Sequence, residues 1–382
     1  MDHLLAWRKE FPILEKSVYM INNSLGAMPR SVHNSLSEYA DVWATRGIRA
    51  WEEGWWEMPV AIGDLIGKII GAGAGEVSMH QNVTIAEAIV FSSLSVSPTR
   101  NRIVYSELNF PSVRYFYQAQ QDVEVQVVPC PDGVTVPLDD MLAAIDERTL
   151  VVPISHVIFK SSFIQDAASI IKKAHSVGAL VILDTYQSCG AVPFNVKELD
   201  VDFVIGGSVK WLCGGPGVAY LYVRPDLRDR LEPRLTGWMA HEHPFDFAPR
   251  MEYTRSAFRF LNGTPNIPGL YAARCGYEII AAVGVEHIRQ KSLQMTERIF
   301  DLADEFQFPV NTPRFAEERG GHVTVNPPEA RRVCDELLQR NFIVDYRPGA
   351  GIRVAPHFYN TMDEVEHLMA EMKAIVYTGA RR

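Results

Sequence analysis

The chain has 382 residues, of which 47% are hydrophobic and 22% charged, so it is long enough for more than one globular domain. Its net charge is −9 and it has no run of Lys or Arg, which argues against nucleic acid or an anionic membrane as the main partner. The five cysteines are scattered without a CxxC pair, and no apolar run reaches signal-peptide or transmembrane length. This pattern predicts a cytoplasmic protein with reduced thiols and no metal site.

The first hundred residues predict mainly helices. A short helix and a strand fall within residues 1–20, and apolar residues at helical spacing predict helices at 31–49, 59–70 and 85–94. Asn82 and Thr84 precede the last of these as candidate N-cap residues. A helix start with free N–H groups and a threonine hydroxyl can hold a phosphate, although plain capping is the commoner role of such residues.

From residue 102 onward, strands and helices alternate. Strands are predicted at 102–106, 123–128, 150–155 and 179–183, and helices at 112–121, 138–145 and 165–176. This alternation predicts a parallel sheet with helices on both faces. Because ligands of such sheets bind beyond the carboxyl ends of the strands, Ser155 and Asp184 are expected to meet at one site.

The segment 201–223 reads as strand, glycine-rich turn and strand, with Lys210 in the turn. An ammonium group flanked by Val209 and Trp211 between two core-like strands is costly to desolvate unless it is paired or used chemically. A desolvated lysine has a lowered pKa and can form a Schiff base with a carbonyl. On this segment alone, a solvated hairpin lysine is the alternative.

The last third of the chain predicts a second unit. A long helix at 267–283 resumes to about residue 306, and a smaller α/β unit follows, with strands at 322–325, 342–345 and 351–354 and helices at 329–340 and 361–377. We therefore predict a large domain at 15–265 and a small C-terminal domain at 266–382, joined by the long helix. Residues 1–14 are predicted to pack with the small domain.

A strand-end Asp together with a Schiff-base lysine is what pyridoxal 5'-phosphate (PLP) requires. The lysine holds the aldehyde, and Asp184 keeps the pyridine nitrogen protonated so that the ring can act as an electron sink. Gln187 can bond a ring substituent, and Phe110 can lie on the ring, although core packing is an equal alternative for Phe110. Candidate phosphate ligands are Thr84, Ser155 and Ser208.

Several motifs are similar to those of a known family. They are NSLG at 23–26, NVT at 82–84, FPS at 110–112, D-x-x-x-x-x-G at 184–190, SxK at 208–210, GWxxHE at 237–242, GTPNI at 263–267 and D-x-R-P-x-x-x-I-R-V-A-P at 345–356. Their order resembles the class V aminotransferase superfamily of fold-type I PLP enzymes, and kynureninase most of all. The resemblance implies a large domain with a mostly parallel seven-stranded sheet between helices, and a smaller C-terminal α/β domain.

The resemblance also implies residue roles. Lys210 and Asp184 are the catalytic pair, Arg353 binds the substrate α-carboxylate, and Asn23 and Ser24 lie near it. Phe110 stacks on the ring, and the homodimer interface brings Trp238 and Thr264 to the partner's cofactor. The implied cofactor contacts, with PLP as the cofactor, are Val83, Thr84, Phe110, Ser155, Asp184, Gln187, Ser208, Lys210, Trp238 and Thr264.

The implied reaction is cleavage of a bond at the β-carbon of an α-amino acid. Gln187 stands where kynureninases usually have His, and a glutamine at this position resembles cysteine desulfurases. Residues 45–49 hold no histidine, although kynureninases have one in this segment. Transamination and other lyase, desulfurase or epimerase outcomes therefore remain open. A nicotinamide-dependent oxidoreductase is a distant alternative, because no GxGxxG motif follows an early strand of this chain. A non-catalytic interaction module is another alternative.

Overall fold

The structure, a computed structural model, describes residues 3–379 and centres on a seven-stranded sheet. Its strands are β2 (Val77–His80), β3 (Arg102–Ser106), β4 (Glu124–Val128), β5 (Thr149–Ser155), β6 (Leu180–Asp184), β7 (Phe203–Gly207) and β8 (Ala219–Val223). The spatial order is β2-β8-β7-β6-β5-β3-β4, and β8 runs antiparallel to both of its neighbours. The other pairs are parallel, so the mostly parallel seven-stranded sheet that the sequence predicts is confirmed.

Helices cover both faces of this sheet. The helices of this part of the chain are α1 (Val32–Arg46), α2 (Met58–Ala61), α3 (Gly63–Ile70), α4 (Val83–Ser92), α5 (Pro111–Gln118), α6 (Leu138–Ala144), α7 (Ala167–Ser176) and, just after the last strand, α8 (Pro225–Arg228). On one face, α4 and α5 pack through Ala86 and Val113 onto side chains such as Ile182 and Ile205. The opposite face packs against α3, α6 and α7 through a separate apolar cluster. Successive side chains of each buried strand point to opposite faces of the sheet, so strands such as β6 contribute to both apolar clusters.

The remaining elements are two long helices, of which α9 packs in the core of the large sheet, and a smaller α/β unit that follows them. They are α9 (Ile267–Val283), α10 (Val285–Glu305), β9 (Val323–Val325), α11 (Ala330–Gln339), β10 (Phe342–Ile343), β11 (Asp345–Arg347), β12 (Gly351–Val354) and α12 (Met362–Gly379). A three-stranded antiparallel sheet has the order β11-β12-β9. Apolar side chains of α10, α11 and α12 pack on it as a separate cluster.

The strand predicted at 342–345 is two strands in the structure. Phe342 and Ile343 pair in parallel with β1 (Val18–Tyr19), near the N-terminus, whereas Asp345 begins the strand that pairs with β12. The chain changes partner at the buried residue Val344. The sequence pattern cannot reveal this break, because the apolar run at 342–344 continues through it.

The N-terminal segment contacts the end of the chain. Short 3-10 helices at His3–Glu10 and Pro12–Glu15 precede β1. Arg8 donates to both carboxylate oxygens of Glu364 and to the Tyr359 carbonyl, and Phe11 packs on the rings of Phe358 and Tyr359. Within residues 3–379, no helix has the length and apolar character needed to cross a membrane.

Candidate active site

A cavity of about 560 Å³ opens at the carboxyl ends of β5 and β6 and beside the turn after β7. Half of its lining residues are apolar or aromatic and form most of the wall, and the other half are polar side chains that converge on the cavity. The lining residues are Asn82, Val83, Thr84, Ile85, Phe110, Ser112, Val113, Ser155, Val157, Phe159, Asp184, Tyr186, Gln187 and Lys210. The structure thus brings together seven of the residues that the sequence assigns to the cofactor: Val83, Thr84, Phe110, Ser155, Asp184, Gln187 and Lys210.

Lys210 extends from the turn between β7 and β8 into this cavity. Its Nζ lies 4.3 Å from the centroid of the Tyr186 ring and 5.6 Å from that of Phe110. Burial lowers the pKa of Lys210 to about 7, with the Asp184 carboxylate opposing and the Arg353 guanidinium adding to the effect. The amine is therefore available in its neutral, nucleophilic form near neutral pH.

Asp184 is the last residue of β6, and the first turn after the strand orients it. One carboxylate oxygen, Oδ1, accepts a hydrogen bond of 2.9 Å from the backbone N–H of Tyr186. Burial raises the pKa of Asp184 to about 6, although this hydrogen bond and the charge of Lys210 oppose the rise. A cation placed beside this carboxylate, such as a protonated pyridine nitrogen, would favour its ionised form.

The N-terminus of α4 offers an anion site at one end of the cavity. Asn82 has extended backbone geometry and caps the helix, because its side-chain oxygen accepts from Ile85 N–H at 3.0 Å. Among the described residues, the backbone N–H groups of Val83 and Thr84 have no hydrogen-bond acceptor. Free N–H groups and the Thr84 hydroxyl at the positive end of a helix dipole suit a phosphate. Thr84 itself lies inside the helix and is not its cap.

Gln187 is fixed from two sides. Its amide nitrogen donates to the Asn23 carbonyl at 2.9 Å, and its amide oxygen accepts from the Trp211 indole at 3.2 Å. One N–H of the amide remains to meet a ligand. Asn23 is fully buried, and neither its side-chain oxygen nor its nitrogen finds a partner within residues 3–379. A buried amide in this state is costly unless a ligand satisfies it.

Arg353 lies next to the cavity without lining it. Nε and Nη2 both donate to the carboxylate of Asp345, and Nη1 donates to the carbonyl of Phe159 at 2.9 Å. A guanidinium has five N–H groups, so one on Nη1 and one on Nη2 remain for a ligand. Arg347 also pairs with Asp345 at 2.9 Å and approaches the Ser24 hydroxyl at 3.5 Å. The predicted substrate residues Asn23, Ser24 and Arg353 thus share one neighbourhood.

Three predicted cofactor residues are not in the cavity wall. Ser208 is fully buried behind it, where its hydroxyl bonds the Tyr277 hydroxyl of α9, so this geometry does not support a phosphate contact. Trp238 is 41% exposed and packs on Trp56. Thr264 is also exposed. A contact of Trp238 or Thr264 with a cofactor stays a prediction that concerns a partner subunit.

Three residues that shape the site have no role in the predictions made from the sequence. Tyr186 presents its ring to the Lys210 ammonium and lies so close to Gly207 that a Cβ there would be 2.2 Å from the ring. Phe159 lines the cavity and meets Phe110 edge-on at 5.1 Å between centroids. Asp345 orients Arg353. Tyr186 could have been suspected because it follows Asp184 by two residues, whereas the other two depend on tertiary contacts.

A lysine and an aspartate at strand ends, facing a helix N-terminus across one cavity, define the site of a fold-type I PLP enzyme. The residues fit that cofactor, because the Lys210 amine is desolvated and two helix N–H groups and one amide N–H still lack acceptors. The chain belongs to the class-V aminotransferase family, whose sequence model matches residues 18–368. It is a PLP-dependent enzyme, as the sequence predicts.

Curated relatives span nearly the whole chain. An uncharacterised aminotransferase, YcbU, of Bacillus subtilis (strain 168) is 33% identical over 380 residues, covering 98% of this chain and 99% of the relative. A kynureninase of Pseudomonas fluorescens is 32% identical over 382 residues, covering 95% and 90%. A kynureninase of Shouchella clausii (strain KSM-K16) is 31% identical, covering 98% and 92%. These relatives confirm the predicted membership of the class V superfamily and the predicted similarity to kynureninase.

Solved structures share the fold. The apo structure of a cysteine desulfurase from Thermococcus onnurineus NA1 superposes with a TM-score of 0.87 at 23% identity, covering 98% of each chain. A C-DES mutant with glycine covalently linked to its PLP cofactor has a TM-score of 0.87 at 18% identity, covering 96% of this chain and 98% of the other. At these identities the likeness concerns the fold, and it confirms the fold-type I architecture.

Proposed function

We propose that the protein cleaves a bond at the β-carbon of an α-amino acid, with a kynureninase-like course of reaction. The observation that supports this most is the arrangement of Lys210 and Asp184 in one cavity with Arg353 beside it. When bound, PLP supplies a conjugated ring that takes up the electron pair left as a bond to the substrate α-carbon breaks.

Each of these side chains has a task in that reaction. Lys210, with a lowered pKa, can take the α-proton on Nζ and return it to a neighbouring carbon. Asp184 holds the proton of the pyridine nitrogen. The two remaining N–H groups of Arg353 bind the α-carboxylate, which orients the amino acid within reach of Nζ. Val83 and Thr84 hold the phosphate at the α4 N-terminus.

The cavity wall argues for a substrate with an apolar or aromatic side chain. Phe110, Phe159 and Tyr186 lie on the wall together with Val113 and Val157. The charges next to it are two guanidinium groups, of Arg347 and Arg353, and one carboxylate, of Asp345. One substrate α-carboxylate balances this set, so a second negative charge on the side chain gains little from it.

Cysteine desulfuration is less favoured by the positions of the thiols. All five cysteines are buried and free, and in the described chain none lines the cavity. Burial raises the pKa of Cys334 to about 11 and that of Cys213 to about 12. A persulfide-accepting thiol has to reach the site as a thiolate, whereas Cys213 and Cys334 are buried and keep their protons at neutral pH.

Transamination is the second candidate, because the B. subtilis relative is named an aminotransferase. To separate the candidates, the purified enzyme with PLP is incubated with single amino acids that include L-kynurenine, L-cysteine and L-alanine, and the products are identified by mass spectrometry. We expect alanine, whose β-carbon gains a proton, together with the carboxylic acid that forms when water takes up the acyl group of the β-substituent. Formation of keto acid with transfer of the amino group, and no β-cleavage product, would overturn the proposal.

Arg353→Lys is expected to raise KM for the amino acid about 10- to 100-fold with a smaller change in kcat, because one ammonium group cannot satisfy both Asp345 and the substrate carboxylate. The measurement is a steady-state titration with the substrate found above. Arg340→Lys is the matched control, since Arg340 pairs with Glu371 on the surface of the small unit. An unchanged KM for Arg353→Lys removes Arg353 from the substrate site.

We further propose a homodimer located in the cytoplasm. Trp238 packs with two more exposed aromatic side chains, Phe245 and Phe247, which are 61% and 78% exposed. Exposed aromatic clusters mark protein interfaces. Sedimentation velocity should give twice the mass of one chain, and Trp238→Ala should weaken the association. A monomer at all concentrations contradicts the dimer.

Five free cysteines fit a reducing compartment.

A further inference from the structure

Glu87 is a buried carboxyl group that the reaction described above does not use. It lies on α4, one helical turn after Val83, and is fully buried. Residues four apart share a helix face, so Glu87 follows the cavity-lining Val83 along the side of α4 that covers the sheet. It belongs to the layer directly behind the candidate cofactor site.

The carboxyl oxygens of Glu87 lack hydrogen-bond partners. Within residues 3–379 neither Oε1 nor Oε2 has one, and the hydroxyls of Tyr105 and Tyr117 are unpartnered as well. Within this range, only the nearby Tyr117 hydroxyl could stabilise an ionised Glu87, and burial outweighs it, so the group keeps its proton.

The sheet places Asp184 opposite this helix face. Val83 and Ala86 of α4 pack in one apolar cluster with Ile182 of β6 and Ile205 of β7. Because side chains alternate along a strand, Asp184 lies on the same face of the sheet as Ile182. Glu87 and Asp184 are therefore two buried acids on facing sides of the interface between α4 and the sheet, and the charge of Asp184 acts on Glu87.

Among the residues that the structure describes, no cation pairs with Glu87, although α5, which packs against α4, carries the guanidinium of Arg114. In the described chain these elements present Tyr117 on α5, Tyr105 on β3 and His80 on β2, and burial lowers the pKa of His80 to about 4. The guanidinium of Arg114 on α5 donates to the Glu107 carbonyl. Burial raises the pKa of Glu87 to about 8, the charge of Asp184 adds to the rise, and the Tyr117 hydroxyl opposes it.

We propose that Glu87 is a positioning residue that acts through Asp184. In the enzyme with bound PLP, Glu87 keeps its proton, so that Asp184 alone carries negative charge beside the pyridine nitrogen. Two neighbouring buried acids cannot both ionise at low cost, so the one that faces the cofactor cation loses its proton and the other retains it. The role does not depend on which substrate bond is cleaved.

Infrared difference spectroscopy of the enzyme with bound PLP tests the proposal. At about pH 7 the wild type minus Glu87→Gln spectrum should show the carbonyl stretch of a protonated carboxylic acid. Glu147→Gln is the matched control, because Glu147 is exposed and should give no such band. In Asp184→Asn the pH at which the Glu87 band disappears should fall by about one unit, since the neighbouring charge is gone.

Two results would overturn the proposal. Absence of the band at neutral pH shows that Glu87 is ionised. A band with the same titration midpoint in wild type and Asp184→Asn shows that Glu87 is merely a buried acid without coupling to Asp184. If Glu87→Gln does not fold, wild-type enzyme with ¹³C-labelled glutamate carboxyl groups is compared with unlabelled wild type instead. The carbonyl band of the protonated acid must then shift to lower frequency.

Discussion

Lys210→Ala should reduce kcat by at least about 10⁴-fold, because it removes both the amine that holds the PLP aldehyde and the base that moves the α-proton. The structure places this amine in the cavity, within 4.3 Å of the Tyr186 ring centroid, with a pKa lowered to about 7. The turn that carries it has no other lysine. Product formation by the purified variant, measured with the substrate found for the wild type, checks the expectation.

A chemical readout accompanies the kinetic one. Borohydride reduction of the wild type should fix PLP on Lys210, and peptide mass mapping should find the label there. Lys172→Ala, on the exposed side of α7, is the matched control and should keep both the label and the activity. A Lys210→Ala enzyme that retains activity within tenfold of the control, or labelling of another lysine in the wild type, contradicts the role of Lys210.

The positions of Lys210 and Asp184 were predictable because they depend on local signals. Strand-length apolar runs end at Ser155 and Asp184, and glycines enforce the turn around Lys210. At Gly190, Gly215 and Gly217 the backbone has positive φ, which explains why glycine stands there. Parallel strands then align their carboxyl ends without further information.

Other features depend on contacts that the sequence does not encode locally. The break between β10 and β11 reflects a choice between two partner strands, β1 and β12. Ser208 was predicted as a phosphate ligand from its place in the SxK motif, yet its hydroxyl meets Tyr277, 69 residues away. The pairing of Arg353 with Asp345 arises because β11 and β12 place these two residues opposite each other. The choice of partner strand and the Ser208 contact depend on long-range packing, whereas the pair of Arg353 and Asp345 depends on the register of one hairpin.

Asp184→Asn should lower kcat by about 10³-fold while leaving the protein folded, because an amide cannot carry the negative charge that keeps the pyridine nitrogen protonated. The side chain has nearly the same size and can still accept the Tyr186 N–H, which is 2.9 Å from Oδ1. The effect should therefore appear in kcat and in the near-ultraviolet absorbance of bound PLP more than in KM.

Asp202→Asn is the control that separates catalysis from stability. Asp202 is also fully buried, but it lies just before β7, at the amino end of that strand, and it accepts hydrogen bonds from His175 and the Val181 N–H. We expect Asp202→Asn to lower the unfolding temperature and to keep kcat per folded molecule. Asp184→Asn should keep the unfolding temperature and lower kcat. If both variants lose activity only in proportion to folded protein, Asp184 has a structural role and the charge opposite the pyridine nitrogen must come from another group.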